Sequence, residues 1–232
     1  MIGIFDSGVG GFASLGELRR LIPHADITYL ADRNNAPYGR KTKDELIGLV
    51  KKDISVLRAL GAKKILIACC TASAIHEYLP KEDKEISFPI IKPAAKRAAA
   101  LGKRITVIAT EYTVGSGAFS RAIAEFSGEC RVKEISAQSL VSLAESEVHG
   151  EGCPWADALL WRTAEEIEKT EPEVLILGCT HFSHLEKKLT ERLSGVITVS
   201  PAVLGARALC EELSEKGLLY EEKRGATRLR YL

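Results

Sequence analysis

Short runs of consecutive apolar residues alternate along this chain with longer stretches in which apolar positions return every three or four residues. A run that is apolar at every position suits a strand covered on both faces, whereas the 3.6-residue period suits a helix with one buried face. Regular alternation of the two is the pattern of parallel strands joined by crossover helices, so the chain is expected to be α/β. Strands are expected at Ile2–Phe5, Ile27–Leu30, Lys64–Ala68, Ile105–Ala109, Val132–Ile135, Val174–Leu177 and Val196–Val199. Helices are expected at Gly10–Leu21, Lys43–Leu60, Thr71–Tyr78, Ala94–Leu101, Ser116–Phe126, Leu140–His149, Ala156–Thr170, His184–Leu193 and Leu204–Lys216.

Within this alternation lies a partial repeat. Leu66-Ile67-Ala68-Cys69-Cys70-Thr71 is echoed by Leu175-Ile176-Leu177-Gly178-Cys179-Thr180, each a strand running into Cys-Thr and then a helix. In an open parallel sheet the loop after a strand's C-terminal end is where ligands bind. The repeat therefore predicts two similar α/β lobes, each a mostly parallel sheet flanked by helices, with the active site in the cleft between them. The expected boundaries are 1–93 plus 200–232 for the first lobe and 94–199 for the second.

Paired strand-end thiols suggest a specific chemistry. A carbon acid is racemised by removing its proton from one face and returning a proton to the other, which takes two groups of similar acidity. A thiol titrates near ~8.5, and neighbouring cations lower that value, so thiol and thiolate coexist near neutral pH. The first strand ends in Asp6-Ser7-Gly8-Val9-Gly10-Gly11, another strand-end position. Asp6 there is expected either to bind a substrate ammonium or shuttle protons, or to cap the following helix. Gly8, Gly10 and Gly11 allow backbone N–H groups to approach a carboxylate. His181, two residues beyond Cys179, is expected to favour the thiolate or to be structural.

Composition narrows the alternatives. Among 232 residues, 32 Lys+Arg against 31 Asp+Glu leave a net charge of +1, which gives no electrostatic case for nucleic acid as a partner. No apolar run approaches the ~20 residues of a membrane span, so no membrane partner is expected. The start, MIGIFDSGVGG, lacks the shape of a secretion signal, and a cytoplasmic location with six free thiols is expected. Gly8-Val9-Gly10-Gly11-Phe12-Ala13 followed by Asp32 also satisfies a dinucleotide fingerprint, the mark of a dehydrogenase, but leaves the paired cysteines without a role. Adjacent Cys69 and Cys70 lack the spacing of a metal or redox pair.

Four motifs in order, Asp6-Ser7-Gly8-Val9-Gly10-Gly11, Pro37-Tyr38-Gly39, Ala68-Cys69-Cys70-Thr71-Ala72-Ser73-Ala74 and Leu177-Gly178-Cys179-Thr180-His181-Phe182, resemble those of the glutamate racemases in the aspartate/glutamate racemase superfamily. Thr110-Glu111-Tyr112-Thr113 and Ser116-Gly117 extend the resemblance. It implies a cofactor-independent amino-acid racemase, an isomerase that interconverts L- and D-glutamate for peptidoglycan and cell wall biogenesis, commonly as a homodimer. By position it implies Cys69 and Cys179 as the acid/base thiols, with Asp6 and His181 assisting. Ser7, Tyr38, Gly39, Cys70, Thr71 and Thr180 would then hold the substrate. Glu145 resembles a further acidic residue of the family, and a solvated helix face explains it equally well.

Two departures accompany the resemblance. Cys70 stands where the family usually has asparagine, and the internal repeat aligns Cys70 rather than Cys69 with Cys179, so either cysteine is a candidate first base. After Arg228-Leu229-Arg230-Tyr231-Leu232 the family usually continues through a turn and helix, which bears on domain packing and dimer contacts. The alternatives to glutamate racemisation are a racemase of aspartate or another small acidic amino acid, and a catalytically weakened metabolite-binding homologue.

Overall fold

The computed structural model describes residues 1–148, 153–218 and 225–232. The chain forms two compact units, Met1–Ile90 with Ala202–Leu232, and Ile91–Pro201. Strands β1 (Ile2–Asp6), β2 (Ile27–Ala31), β3 (Lys64–Ile67), β4 (Ser87–Pro89) and β9 (Thr227–Tyr231) build the first sheet, in the order β4-β3-β1-β2-β9. Strands β5 (Arg104–Ala109), β6 (Arg131–Ser136), β7 (Val174–Gly178) and β8 (Ile197–Val199) build the second, in the order β6-β5-β7-β8. Every pairing in both sheets is parallel.

The apolar runs sit where double coverage demands them. β1, β2 and β7 are buried at every position and lie inside their sheets. β6 and β9 lie at edges, and their Arg and Lys residues discourage pairing with a further chain. In the second unit a buried cluster joins Ile108, Leu175 and Leu177 of the sheet to Leu140, Leu143 and Leu160 of the helices. Helix Lys43–Ala59 starts on a capping box in which Thr42 Oγ1 accepts from Glu45 N and Glu45 accepts from Thr42 N.

Several expected helices are shorter. Thr71–Tyr78 is a helical turn over Cys70–Ser73 and a separate 3₁₀ turn over His76–Tyr78. Ser73 Oγ donates to Ile67 O and accepts from Ile90 N, anchoring that first turn to the flanking backbone rather than to a continuing helix. Ser116–Phe126 resolves into Glu111–Ser116 and Ala118–Ala124, separated by Gly117 at a φ of +63° that no α-helix accommodates. Within His184–Leu193 only Glu186–Thr190 is α-helical, and His184 closes the 3₁₀ turn Thr180–His184. The helix expected at Leu140–His149 runs over Ser139–Val148, and His149 lies outside the described residues.

Parallel register puts the chemistry at one end of each sheet. Asp6 pairs with Ala31 and Phe5 with Ile67, so the residues after β1, β2 and β3 emerge together at the C-terminal edge. In the second sheet Ala109 pairs with both Ser136 and Gly178, which delivers Thr110 and Cys179 to the corresponding edge.

Candidate functional site

In the first unit the site begins where β1 ends. Asp6 is fully buried, and its Oδ1 accepts from Gly8 N at 2.8 Å, tightening the turn that leads into helix Phe12–Leu21. That helix has Gly11 at its N-cap without a side-chain bond, so Asp6 shapes the turn and does not cap the helix. Tyr29 Oη donates to Gly8 O at 2.9 Å from the neighbouring strand. A Cβ on Gly11 would lie 2.7 Å from Tyr29 Oη, 2.9 Å from Asp6 Cβ and 3.1 Å from Ala68 Cβ, which explains why this crowded turn carries glycine.

Across that turn stands the first cysteine pair. Ser7 Oγ lies 3.8 Å from Cys69 Sγ, and both residues are buried. Cys69 is extended, with φ −90° and ψ 127°, at the N-cap of the Cys70–Ser73 turn, whereas Cys70 is that turn's first helical residue. Cys179 is likewise extended, with φ −139° and ψ 136°, at the N-cap of the 3₁₀ turn Thr180–His184. Local backbone geometry therefore matches Cys69, rather than Cys70, to Cys179. The Tyr38–Arg40 turn packs against Cys70–Ser73, which brings Tyr38 and Gly39 to the same neighbourhood as Cys69 and Thr71.

In the second unit Cys179 Sγ lies 3.6 Å from His181 Nδ1. Helix Ser139–Val148 packs on the Thr180–His184 turn and places Glu145 Oε1 3.4 Å from His181 Nε2. Carboxylate, imidazole and thiol thus stand in line, with the ring between the acid and the sulfur. Cys179, Thr180 and His181 are buried, while the Glu145 side chain is 42% exposed. Glu145 is on a partly solvated face, as its helix position suggests, yet its carboxylate reaches inward to the histidine.

Asp32, the acidic residue of the dinucleotide fingerprint, is engaged elsewhere. Both of its oxygens accept from Asn35 Nδ2, at 2.8 and 3.0 Å, and Oδ2 lies 2.6 Å from Tyr38 Oη. Tyr38 Oη also lies 2.9 Å from Oδ2 of Asp53, a buried residue in the middle of helix Lys43–Ala59 that the sequence does not single out. Burial first, and then Asp53 and Asp32, push the Tyr38 hydroxyl well above the ordinary phenol range, so it keeps its proton. Tyr38→Phe removes this hydroxyl and leaves two buried carboxyl groups without it. We expect the variant to lose about 1–3 kcal/mol of stability by urea denaturation, the cost of an unsatisfied buried polar group.

None of the six cysteines is joined in a disulfide. Among the described residues no three His, Cys, Asp or Glu side chains converge as a metal-ligand set, and no helix is long and apolar enough to cross a membrane.

Residues 24–209 match the family described as Asp/Glu/Hydantoin racemase. A glutamate racemase from Picosynechococcus is 36% identical over 218 residues, covering 93% of this chain and 77% of that protein. A glutamate racemase from Trichodesmium erythraeum is 37% identical over 221 residues, covering 91% and 78%. The crystal structure of a glutamate racemase isoform from Bacillus anthracis superposes with a TM-score of 0.92 at 28% identity, covering all of this chain and 88% of that one. The Francisella tularensis glutamate racemase, solved in complex with D-glutamate, gives 0.90 at 27% identity, covering 99% and 87%.

Proposed function

The chain belongs to the Asp/Glu/hydantoin racemase family, and within it to the glutamate racemases, and on that basis we propose that it interconverts L- and D-glutamate through Cys69 and Cys179. The observation that carries the assignment is the equivalence of these two cysteines. Each follows an inner parallel strand, each is extended at a cap position, and each has a polar partner near its sulfur, Ser7 or His181.

In this mechanism one thiolate takes the Cα proton. The electron pair of the Cα–H bond moves into the substrate carboxylate, and the other thiol then delivers a proton to the opposite face. The thiols finish with their protonation states exchanged, and solvent restores the starting state. Backbone N–H groups of the Gly8–Gly11 turn, with Ser7, Tyr38, Gly39, Cys70, Thr71 and Thr180, hold the carboxylates and ammonium. Asp6 and His181 assist proton movement, and Glu145 orients His181. The proposed reaction draws on the chain's own side chains and backbone N–H groups and needs no organic cofactor or metal. Its place is the cytoplasm, its product serves peptidoglycan assembly, and its assembled form is a homodimer.

The test is solvent exchange. Incubated with L-glutamate in deuterium oxide without pyridoxal phosphate, the protein is expected to put deuterium at Cα and to bring the circular dichroism of the solution to zero. Absence of both signals overturns the assignment. Cys70 favours a second possibility, because a thiol replaces the amide of the related motif and hydrogen-bonds more weakly. Aspartate and other small acidic amino acids assayed in parallel distinguish the two, with faster turnover of aspartate supporting the second.

A further inference from the structure

Asp53 stands in the apolar stripe of helix Lys43–Ala59, fully buried with Leu46, Val50, Ile54 and Leu57. Its Oδ2 is 2.9 Å from Tyr38 Oη, and its Oδ1 is buried without a hydrogen-bond partner. On the other side of the same phenol, Asp32 Oδ2 is 2.6 Å away. A tyrosine hydroxyl has one hydrogen, so it cannot donate to both carboxylates. One carboxyl group must bring the second proton. Asp32 already accepts from Asn35 through both oxygens, whereas Asp53 has no donor other than Tyr38, so the second proton belongs on Asp53.

We infer that Asp53 is a positioning residue: as a neutral acid it donates its proton to Tyr38 Oη, which donates its own to Asp32, and this chain fixes the Tyr38–Gly39 turn for substrate. The role rests on the proposed function, which assigns that turn to substrate binding. Charge supports the order of donors. Burial, and then the neighbouring Asp32 carboxylate, push Asp53 from the ordinary 3.8 up to about 7. The groups acting on it are Asp32 and Tyr38 from the segment after β2 and Lys52 on its own helix. β1, which the helix also packs against, ends in Asp6, whose carboxylate turns to Gly8. Above neutrality Asp53 ionises, the second proton is lost, and two carboxylates face one phenol.

The consequence has a definite sign. The native carboxyl holds its proton more tightly than the unfolded one, so stability from the neutral acid is complete below the ordinary aspartate value and declines as pH rises towards about 7. Asp53→Asn keeps a donor for Tyr38 but does not titrate, and Asp53→Leu removes the donor at every pH. Urea midpoints of the unaltered protein are expected to fall relative to Asp53→Asn between pH 4 and pH 7 and then to run parallel. The KM for glutamate of the unaltered protein is expected to match that of Asp53→Asn at pH 6 and to exceed it about fivefold at pH 8.5, with kcat moving less. Asp53→Leu is expected to raise KM about fivefold at both pH values, so that the asparagine variant acts as the rescue. Parallel urea profiles throughout, or a KM ratio independent of pH, overturn the inference. Diverging urea profiles without turnover by any of the three proteins sustain the shared proton but overturn the racemase assignment that gives it a role.

Discussion

Cys69→Ser and Cys179→Ser each lose racemisation by about 10²–10⁴-fold, the range that one positioned acid or base contributes, while staying folded. Each also retains half of the chemistry. A serine hydroxyl is far too weak an acid or base to replace a thiol, but in the proposed mechanism the remaining cysteine still serves one side of Cα. The variant therefore removes the proton of the enantiomer presented to that cysteine and returns solvent hydrogen to the same side. In deuterium oxide one variant labels L-glutamate without inverting it, and the other labels D-glutamate. Proton NMR of the Cα signal, combined with circular dichroism, separates labelling from inversion. Near-normal racemisation by either variant, or labelling of the same enantiomer by both, contradicts the two-thiol assignment. Cys70→Ser supplies the comparison: Cys70 lies within the helical turn, one residue past the cap that Cys69 and Cys179 share, so racemisation is expected to survive there.

Gly178→Ala is the other change expected to have a large effect, and it acts through the backbone. A Cβ at this position would lie 2.8 Å from Ile108 O and 3.0 Å from both Ala109 Cβ and Val107 Cγ1. Ile108 O belongs to the neighbouring strand β5, and Gly178 itself pairs with Ala109, so no flexible side chain can yield. Overpacking of this kind costs about 1–3 kcal/mol. The residue it displaces first is Cys179, and a misplacement of about 1 Å at a reacting group costs up to about 10²-fold in rate. Thermal melting and racemisation should both fall. Gly48→Ala tests the cause, because a Cβ there, within helix Lys43–Ala59, meets nothing within 4 Å. That substitution is expected to raise stability by about 0.4–1 kcal/mol and to leave activity unchanged.

Continuous apolar runs made the inner strands legible, because strands covered on both faces leave no room for alternation. The same criterion missed β4 and β9. Ser87–Pro89 is too short to show a period, and Thr-Arg-Leu-Arg-Tyr at 227–231 is an exposed edge strand whose charged residues read as a surface loop. Helix ends failed where one residue changed the local rule, as Gly117 and Ser73 do. At the site, strand-end position pointed to Asp6, Cys179 and the Cys69-Cys70 pair, and the choice between Cys69 and Cys70 depends on backbone geometry that the repeat does not carry. Asp53 went unnoticed because Lys51-Lys52-Asp53 looks like a solvated charge run. Its phase was available: positions 46, 50, 53, 54 and 57 form one helical stripe, and Asp53 is the single polar member of it. Asp32 completes a dinucleotide fingerprint by spacing alone, and in the structure Tyr38 and Asn35 occupy its carboxylate. Such pairings depend on which turn packs against which helix, and neither composition nor period encodes that.

The chain leaves the five-stranded unit after Ile90 and rejoins it at Ala202, and its last strand pairs Thr227 with Ile27. On the ribosome this interruption sets a schedule. Every residue of Ile91–Pro201 has been synthesised before β9, the second partner of β2, exists, so the four-stranded unit can close as a contiguous nascent piece while the outer flank of β2 waits. Until Thr227–Tyr231 arrives, the apolar β2 is an open flank available to neighbouring chains, and the speed of late translation becomes a determinant of how much protein is recovered intact.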